Sequence, residues 1–232
     1  MYLNARCIRC TVYRVTRTGE MTGTTRRRAQ TRERLIDAAY EVFGKLGIRD
    51  APVELICERA GFTRGAFYSN FASKEELFLA VHEVQAQERV DRLHAAVTRA
   101  IDAADISDPD VATDVLRQAG ELFMESLASD RTWYMLNVEF TAQALRQGDL
   151  RPPTAAAEER FQNRLAEILL GTLDRLGRRL TVDAHSAMVT IIALYEATLK
   201  RAILTGTDNG QYVTEVLPRL FAALIVPAGE DL

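Results

Sequence analysis

Between residues 51 and 79 the chain reads APVELICERAGFTRGAFYSNFASKEELFL. Within that stretch Thr63, Arg64, Gly65, Tyr68, Ser69, Asn70 and Lys74 gather hydroxyls, an amide and two cations. Hydroxyls and cations bind phosphate oxygens, and arginine and asparagine can also bond base edges, so the chemistry on offer is recognition of a polyanion. Turnover would need a different constellation. The sequence has no GxSxG, HExxH, P-loop or GxGxxG, and its three histidines are scattered without obvious partners.

Two short helices must present those groups. Ile56 and Cys57 fall on the inward side of the first, and Cys57 is small enough for a steep crossing. Gly61 ends that helix, because a left-handed backbone costs glycine nothing. Phe62 opens the turn, and residues 63–71 form a second helix. Phe62, Phe67 and Phe71 pack it onto the first, leaving Thr63, Arg64, Tyr68, Ser69 and Asn70 outward. The outcome is a helix-turn-helix whose outer face could enter a major groove. Ser73 caps the next helix, with Glu76 completing a capping box. Ahead of the motif, Leu35, Ala38, Ala39, Val42, Phe43 and Leu46 repeat at three and four residues. They predict a helix from near Arg27 to about Leu46, closed by Gly47.

The pattern ERLIDAAYEVFGKLG, then ELICERAGFTRGAFYSNF, then SKEELF resembles the DNA-binding domain of the TetR family of bacterial transcriptional regulators, from about Arg27 to Val81. The resemblance implies an all-α protein: a three-helix helix-turn-helix head over residues 25–80 and a larger helical effector-binding and dimerisation domain over 81–232, with 1–24 as a disordered extension. It implies a palindromic double-stranded DNA operator, a homodimer, and a small, largely apolar effector whose binding releases a repressor from DNA, with a transcriptional activator as the alternative. Tyr68 matches a position that usually bonds phosphate through its hydroxyl. Thr63 and Arg64 stand at base edges or phosphate, Gly65 lets the backbone approach, and Ser69 and Asn70 are variable contacts. The arm carrying Arg27 and Arg28 would contact phosphates or lie along the minor groove, adding salt-dependent affinity with little base specificity; the plain alternative is a solubilising tail. Lys74 would point its ammonium at the backbone phosphates. One departure concerns residue 52, where many relatives carry a phosphate-touching threonine and this chain has Pro52. Asp50 is then the candidate cap of that helix.

The body reads as further helices over 74–104, 111–127, 131–146, 154–176, 184–204 and 212–225, joined by polar breaks. No run alternates with a period of two, so no sheet is expected. The segment 184–204 is apolar nearly all round, and 212–225 adds a second apolar helix. A helix apolar on every side must be covered on every side. The pair resembles the family's four-helix dimer interface, implicating Ile191, Tyr195, Leu199, Leu217, Leu220 and Phe221, although completing the monomer's own core would satisfy the same pattern. Phe123, Leu127, Trp133, Tyr134 and Phe140 are candidates for lining an effector pocket, while such spacing also builds ordinary core.

Residues 1–80 hold 14 Lys and Arg against 9 Asp and Glu, and the remainder holds 15 against 23. A basic amino-terminal end on an acidic body suits a protein that offers one end to a polyanion. No apolar run is long enough to span a membrane, and the first 20 residues lack the apolar core of a secretory signal. Cys7 and Cys10 form a CxxC, but no paired spacing supplies two further zinc ligands, so neither metal nor cofactor is expected. With three cysteines giving no disulfide framework, a reducing cytoplasm is the simplest assignment. Residues 1–20 have neither periodicity nor caps, which makes Met21 a candidate native start that the native amino-terminal mass would check. Two alternatives remain beside a regulator: an architectural DNA-binding protein without an effector, and a redox sensor using Cys57, which reads as buried.

Overall fold

The computed structural model describes residues 23–107, 109–128, 131–207 and 210–229, with side chains throughout except at 23–25, 109–110, 124–128 and 213–214. The expectations for residues 1–22, Cys7 and Cys10 among them, fall outside these residues. Helix α1 (Gly23–Asp50) begins ahead of the expected Arg27, and it is followed by α2 (Val53–Ala60), α3 (Arg64–Tyr68) and α4 (Lys74–Asp102). The body adds α5 (Pro109–Ala128), α6 (Arg131–Arg146), α7 (Arg151–Arg175), α8 (Ala184–Thr205), a π-helical turn (Tyr212–Val216) and α9 (Leu217–Ala222).

Two apolar cores organise the chain. The first joins Leu35, Phe43, Ile56, Phe67, Phe71 and Phe78 of the head, and it also takes in Leu136 and Phe140 from α6. The head's core therefore extends to a body helix, α6. The second core lies between α4, α5, α7, α8 and α9, around Leu93, Val97, Leu165, Leu173, Met188 and Leu217. Helix α4 serves both: Leu77, Phe78 and Val81 enter the first core, while Val90, Leu93, Val97 and Ile101 enter the second. At 29 residues it spans roughly 43 Å, long enough to carry one rigid element from head to body. Arg160 and Arg164 of α7 both grip Glu83 of α4, fixing the two helices side by side.

Four details depart from the sequence reading. Leu46, expected on the buried face of α1, is 46% exposed. Gly47 takes φ 77 and ψ 165, which swings the chain off the helix axis and lets Ile48 fill the buried place, at 1% exposure. Helix α2 has Pro52 at its cap position and no side-chain cap, so Asp50 does not serve. A small sheet exists: β1 (Arg178–Leu180) pairs antiparallel with β2 (Ile225–Pro227). The last helix accordingly stops at Ala222, because the chain beyond it pairs with the stretch after α7.

Polar groups settle how α6 meets the head. The Ile48 and Arg49 amides donate to Glu139 Oε2 and Oε1 at 2.9 and 2.8 Å. Lys74 Nζ donates to the Ile48, Arg49 and Ala51 carbonyls at 3.0, 2.8 and 3.0 Å. The backbone just past the Gly47 kink thus has amides held from α6 and carbonyls held from α4, the accounting that partly buried backbone requires.

Candidate nucleic-acid interface

The turn between α2 and α3 is built by backbone bonding. Gly61 sits at φ 72 and ψ 36; its amide bonds Glu58 O at 3.0 Å and the Phe62 amide bonds Cys57 O at 2.9 Å. This paired closure is the Schellman motif, which needs a left-handed residue where Gly61 stands. Thr63 then caps α3, its Oγ1 accepting from the Ala66 amide at 3.3 Å. Phe67 and Phe71 are fully buried with ring centroids 6.0 Å apart. They hold α3 down so that its other side faces out. Helix α3 proper ends at Tyr68, shorter than expected, and Ser69–Asn70 form a turn before Phe71.

The outward face carries Thr63, Arg64, Gly65, Tyr68 and Ser69, all exposed, with Tyr68 at 52%. Gly65 leaves bare surface: a Cβ there would meet only Thr63 Oγ1, at 3.7 Å. Arg64 Nη1 lies 2.7 Å from Glu54 Oε1, and the Arg64 guanidinium sits 5.9 Å from the Tyr68 ring centre. From α1, Arg28 Nη2 donates to Ser69 O at 3.1 Å, while Arg27 is exposed beside it. Arg32 and Arg34 stack on Phe71 and Phe62 at 4.5 and 4.8 Å, bracing the motif from outside.

Two sequence assignments change. Lys74 turns all three ammonium protons to the protein's own carbonyls, so its charge stitches the head together instead of facing phosphate. Asn70 folds back: Nδ2 donates to Ala66 O at 2.8 Å and Oδ1 is buried, which removes the pair of atoms that adenine would need. At the start of α4 the Ser73 cap accepts from the Glu76 amide at 3.1 Å, and Glu76 reaches back to the Ala72 amide at 2.7 Å, one residue beyond a standard capping box. Burial raises the Cys57 thiol above its ordinary range, as an inert core cysteine requires. Glu139 carried no sequence signal, belonging to no periodic face or motif, and Glu54 opens the quoted ELICERAGFTRGAFYSNF segment with no role assigned to it there.

The proposed pocket residues do not converge. Phe140 belongs to the head's core, its ring centre 4.3 Å from that of Phe78 at a tilt of 32°. Trp133 is buried under the Arg89 guanidinium, 4.4 Å away, and beside His82, 4.7 Å away. Burial above all pushes the His82 imidazole down to about 4, keeping it neutral. Tyr134 is half-buried, and burial first, with the Glu196 carboxylate adding to it, raises its phenol. Phe123 stacks on Phe221 at 6.3 Å and lines an apolar void of about 20 Å³ with Val97, Leu116, Gly120 and Leu169. The Leu127 side chain lies outside the described residues. Among the suggested interface residues, Ile191, Tyr195, Leu217 and Phe221 are buried in the chain's own core, and Leu199 packs against it. Completing that core satisfies their apolar character; Leu220 alone of the six stays open, alongside Val189, Leu194 and Val216. Burial also pushes the Tyr195 phenol up to about 12.

Head and body together define a helix-turn-helix fold with a helical second domain. The family model for bacterial regulatory proteins of the tetR family matches residues 35–81, the stretch that builds this head. SrpR, an HTH-type transcriptional regulator of Pseudomonas putida, is 50% identical over 52 residues, which is 22% of this chain and 24% of SrpR. That match therefore spans only about a quarter of the relative's length. FasR, an HTH-type transcriptional activator of Mycolicibacterium smegmatis, is 28% identical over 167 residues, 72% of this chain and 68% of FasR. The crystal structure of the multidrug binding protein EbrR complexed with imidazole superposes at a TM-score of 0.54 and 29% identity, covering 86% of this chain and 98% of EbrR. Solved structures of TetR-family regulators share the whole-chain architecture. Residues 35–81 of this chain match the tetR-family DNA-binding head, and the chain as a whole shares the fold of solved TetR-family regulators. No described helix is long and apolar enough to cross a membrane.

Proposed function

We propose that this protein is a cytoplasmic, non-enzymatic, sequence-specific DNA-binding regulator, a repressor that leaves its operator when a small, largely apolar effector binds the body. One observation carries the reading. Thr63, Arg64, Gly65, Tyr68 and Ser69 form an exposed polar face on a rigidly packed helix, with Arg26, Arg27 and Arg28 exposed nearby. Tyr68, Arg27 and Arg28 take phosphate, and Thr63 and Arg64 face base edges.

Two such heads read a palindrome only when their recognition helices sit about 34–36 Å apart, which requires a homodimer. The exposed apolar side chains of α8, the π-helical turn and α9, namely Val189, Leu194, Val216 and Leu220, supply its contact face. An effector acts by preferring a body conformation in which that spacing is wrong, and it lowers DNA affinity by its differential binding. The apolar void beside Phe123 is only about 20 Å³, so a ligand that binds there opens space between α4, α5 and α7. EbrR, similar over nearly its whole length, is a multidrug binding protein, which supports a ligand-holding body here. FasR is named an activator, which supports activation as the second reading of the sign.

Fluorescence anisotropy tests the central claim, using labelled DNA from upstream of the protein's own gene against a scrambled duplex at near-physiological salt. Preferential binding that weakens strongly in Tyr68→Ala is expected. Equal binding to both duplexes with no effect of that substitution sinks the sequence-specific reading.

A further inference from the structure

An anion sits on the surface that is read above as facing DNA. Glu54 stands in the first turn of α2, Arg64 opens α3, and their Oε1 and Nη1 atoms are 2.7 Å apart. Both side chains are more than half exposed, at 57% and 60%. An exposed ion pair contributes little to folding because water screens it and two long side chains must be held still. A carboxylate here also repels phosphate, so a face tuned only for affinity would omit it.

The pair does change what Arg64 can do. A guanidinium has five N–H donors in a fixed plane. Glu54 takes one edge at Nη1, and the Tyr68 ring, 5.9 Å from the guanidinium carbon, limits the side chain on another side. Tyr68 also takes a hydrogen bond from the guanidinium, so the other donors belong to a group restrained from two sides. Bidentate recognition of guanine O6 and N7 needs two parallel donors held in one plane, and a restrained arginine loses less freedom on forming it. Gly65 follows directly, and its bare backbone lets the start of α3 approach the groove floor.

Resting on the DNA-binding reading above, we infer that Arg64 reads a guanine in each half-site and that Glu54 is the positioning residue that aims it. Glu54 gives up some affinity for any DNA by repelling phosphate and gains base discrimination at one position. It is therefore a specificity determinant that touches no base itself.

Selection from a random-sequence duplex pool by the full chain, with the bound DNA sequenced, separates the possibilities. The parent is expected to enrich one guanine per half-site, with a bidentate pair discriminating by about 5- to 150-fold. Arg64→Ala loses that preference at that position alone. Glu54→Gln, which preserves side-chain volume, and Glu54→Ala both retain binding and hold scrambled DNA more tightly. In both, the guanine preference at the same position falls at least about threefold. A base profile unchanged in both Glu54 variants, or weakened evenly at every position, overturns the positioning role while leaving DNA binding intact. A parent that enriches no sequence overturns both readings together.

Discussion

Removing the Glu139 carboxylate tests the junction between head and body most directly. Its two oxygens accept from the Ile48 and Arg49 amides at 2.9 and 2.8 Å, just after Gly47 leaves the helical region. The first bond is partly buried and the second exposed. In Glu139→Ala water can replace the exposed bond but not fully the buried one. Since bonds to a charged acceptor are worth about 1.5–3 kcal/mol and exposed ones less, the expected loss is about 2–3 kcal/mol. For a chain of this size that lowers Tm by about 5–10 °C in a thermal scan. Glu139→Gln keeps one acceptor and should fall between parent and alanine. Gly47→Ala probes the same link from the other side. Its Cβ would meet the Glu139 carboxylate oxygens at 3.0 and 3.3 Å in a backbone conformation that strains any L side chain, costing about 1–3 kcal/mol. Because both substitutions break one link, the double variant should lose less than the sum of the singles. A Glu139→Ala protein that melts within about 1 °C of the parent refutes the reasoning.

Lys74→Met should destabilise the head by about 1.5–3 kcal/mol in urea unfolding while leaving the slope of log affinity against log salt unchanged; a slope reduced by about one would return Lys74 to the phosphate backbone. His82, depressed to about 4 from 6.5, stays neutral when folded but takes a proton when unfolded. Its contribution is therefore fully present above pH 6.5 and is lost as pH falls toward 4, by about 2 kcal/mol at pH 5. Urea titrations at pH 7.5 and 5 should show that loss in the parent and not in His82→Phe, and equal losses in both proteins would count against it. Gly120→Ala places a methyl where no atom lies within 4 Å, at the edge of the void beside Phe123. In mid-helix this should stabilise by about 0.5–1 kcal/mol, raising Tm, whereas a lowered Tm would mean that the void is not open.

The sequence by itself determined the local elements of the head. Gly61 at the turn, Thr63 and Ser73 as caps, and phenylalanines spaced to pack α3 on α2 are interactions between residues a few positions apart, and each pattern has few solutions. The helical body was legible for the same reason, since an apolar stripe at helical spacing marks a buried face. What periodicity marks is burial, not the partner that does the burying. Only the tertiary structure assigned Phe140 to the head's core and Ile191, Tyr195, Leu217 and Phe221 to the body's, because an apolar side chain accepts any apolar neighbour. The three-residue strands were illegible because each is too short to alternate and its partner is distant in sequence. Charged residues show the limit most clearly. Lys74 reads as a phosphate contact until three carbonyls converge on it. Glu54 and Glu139 read as solvent until Arg64 and two stray amides come within 3 Å. Polar specificity depends on distance and direction, which only the folded chain fixes.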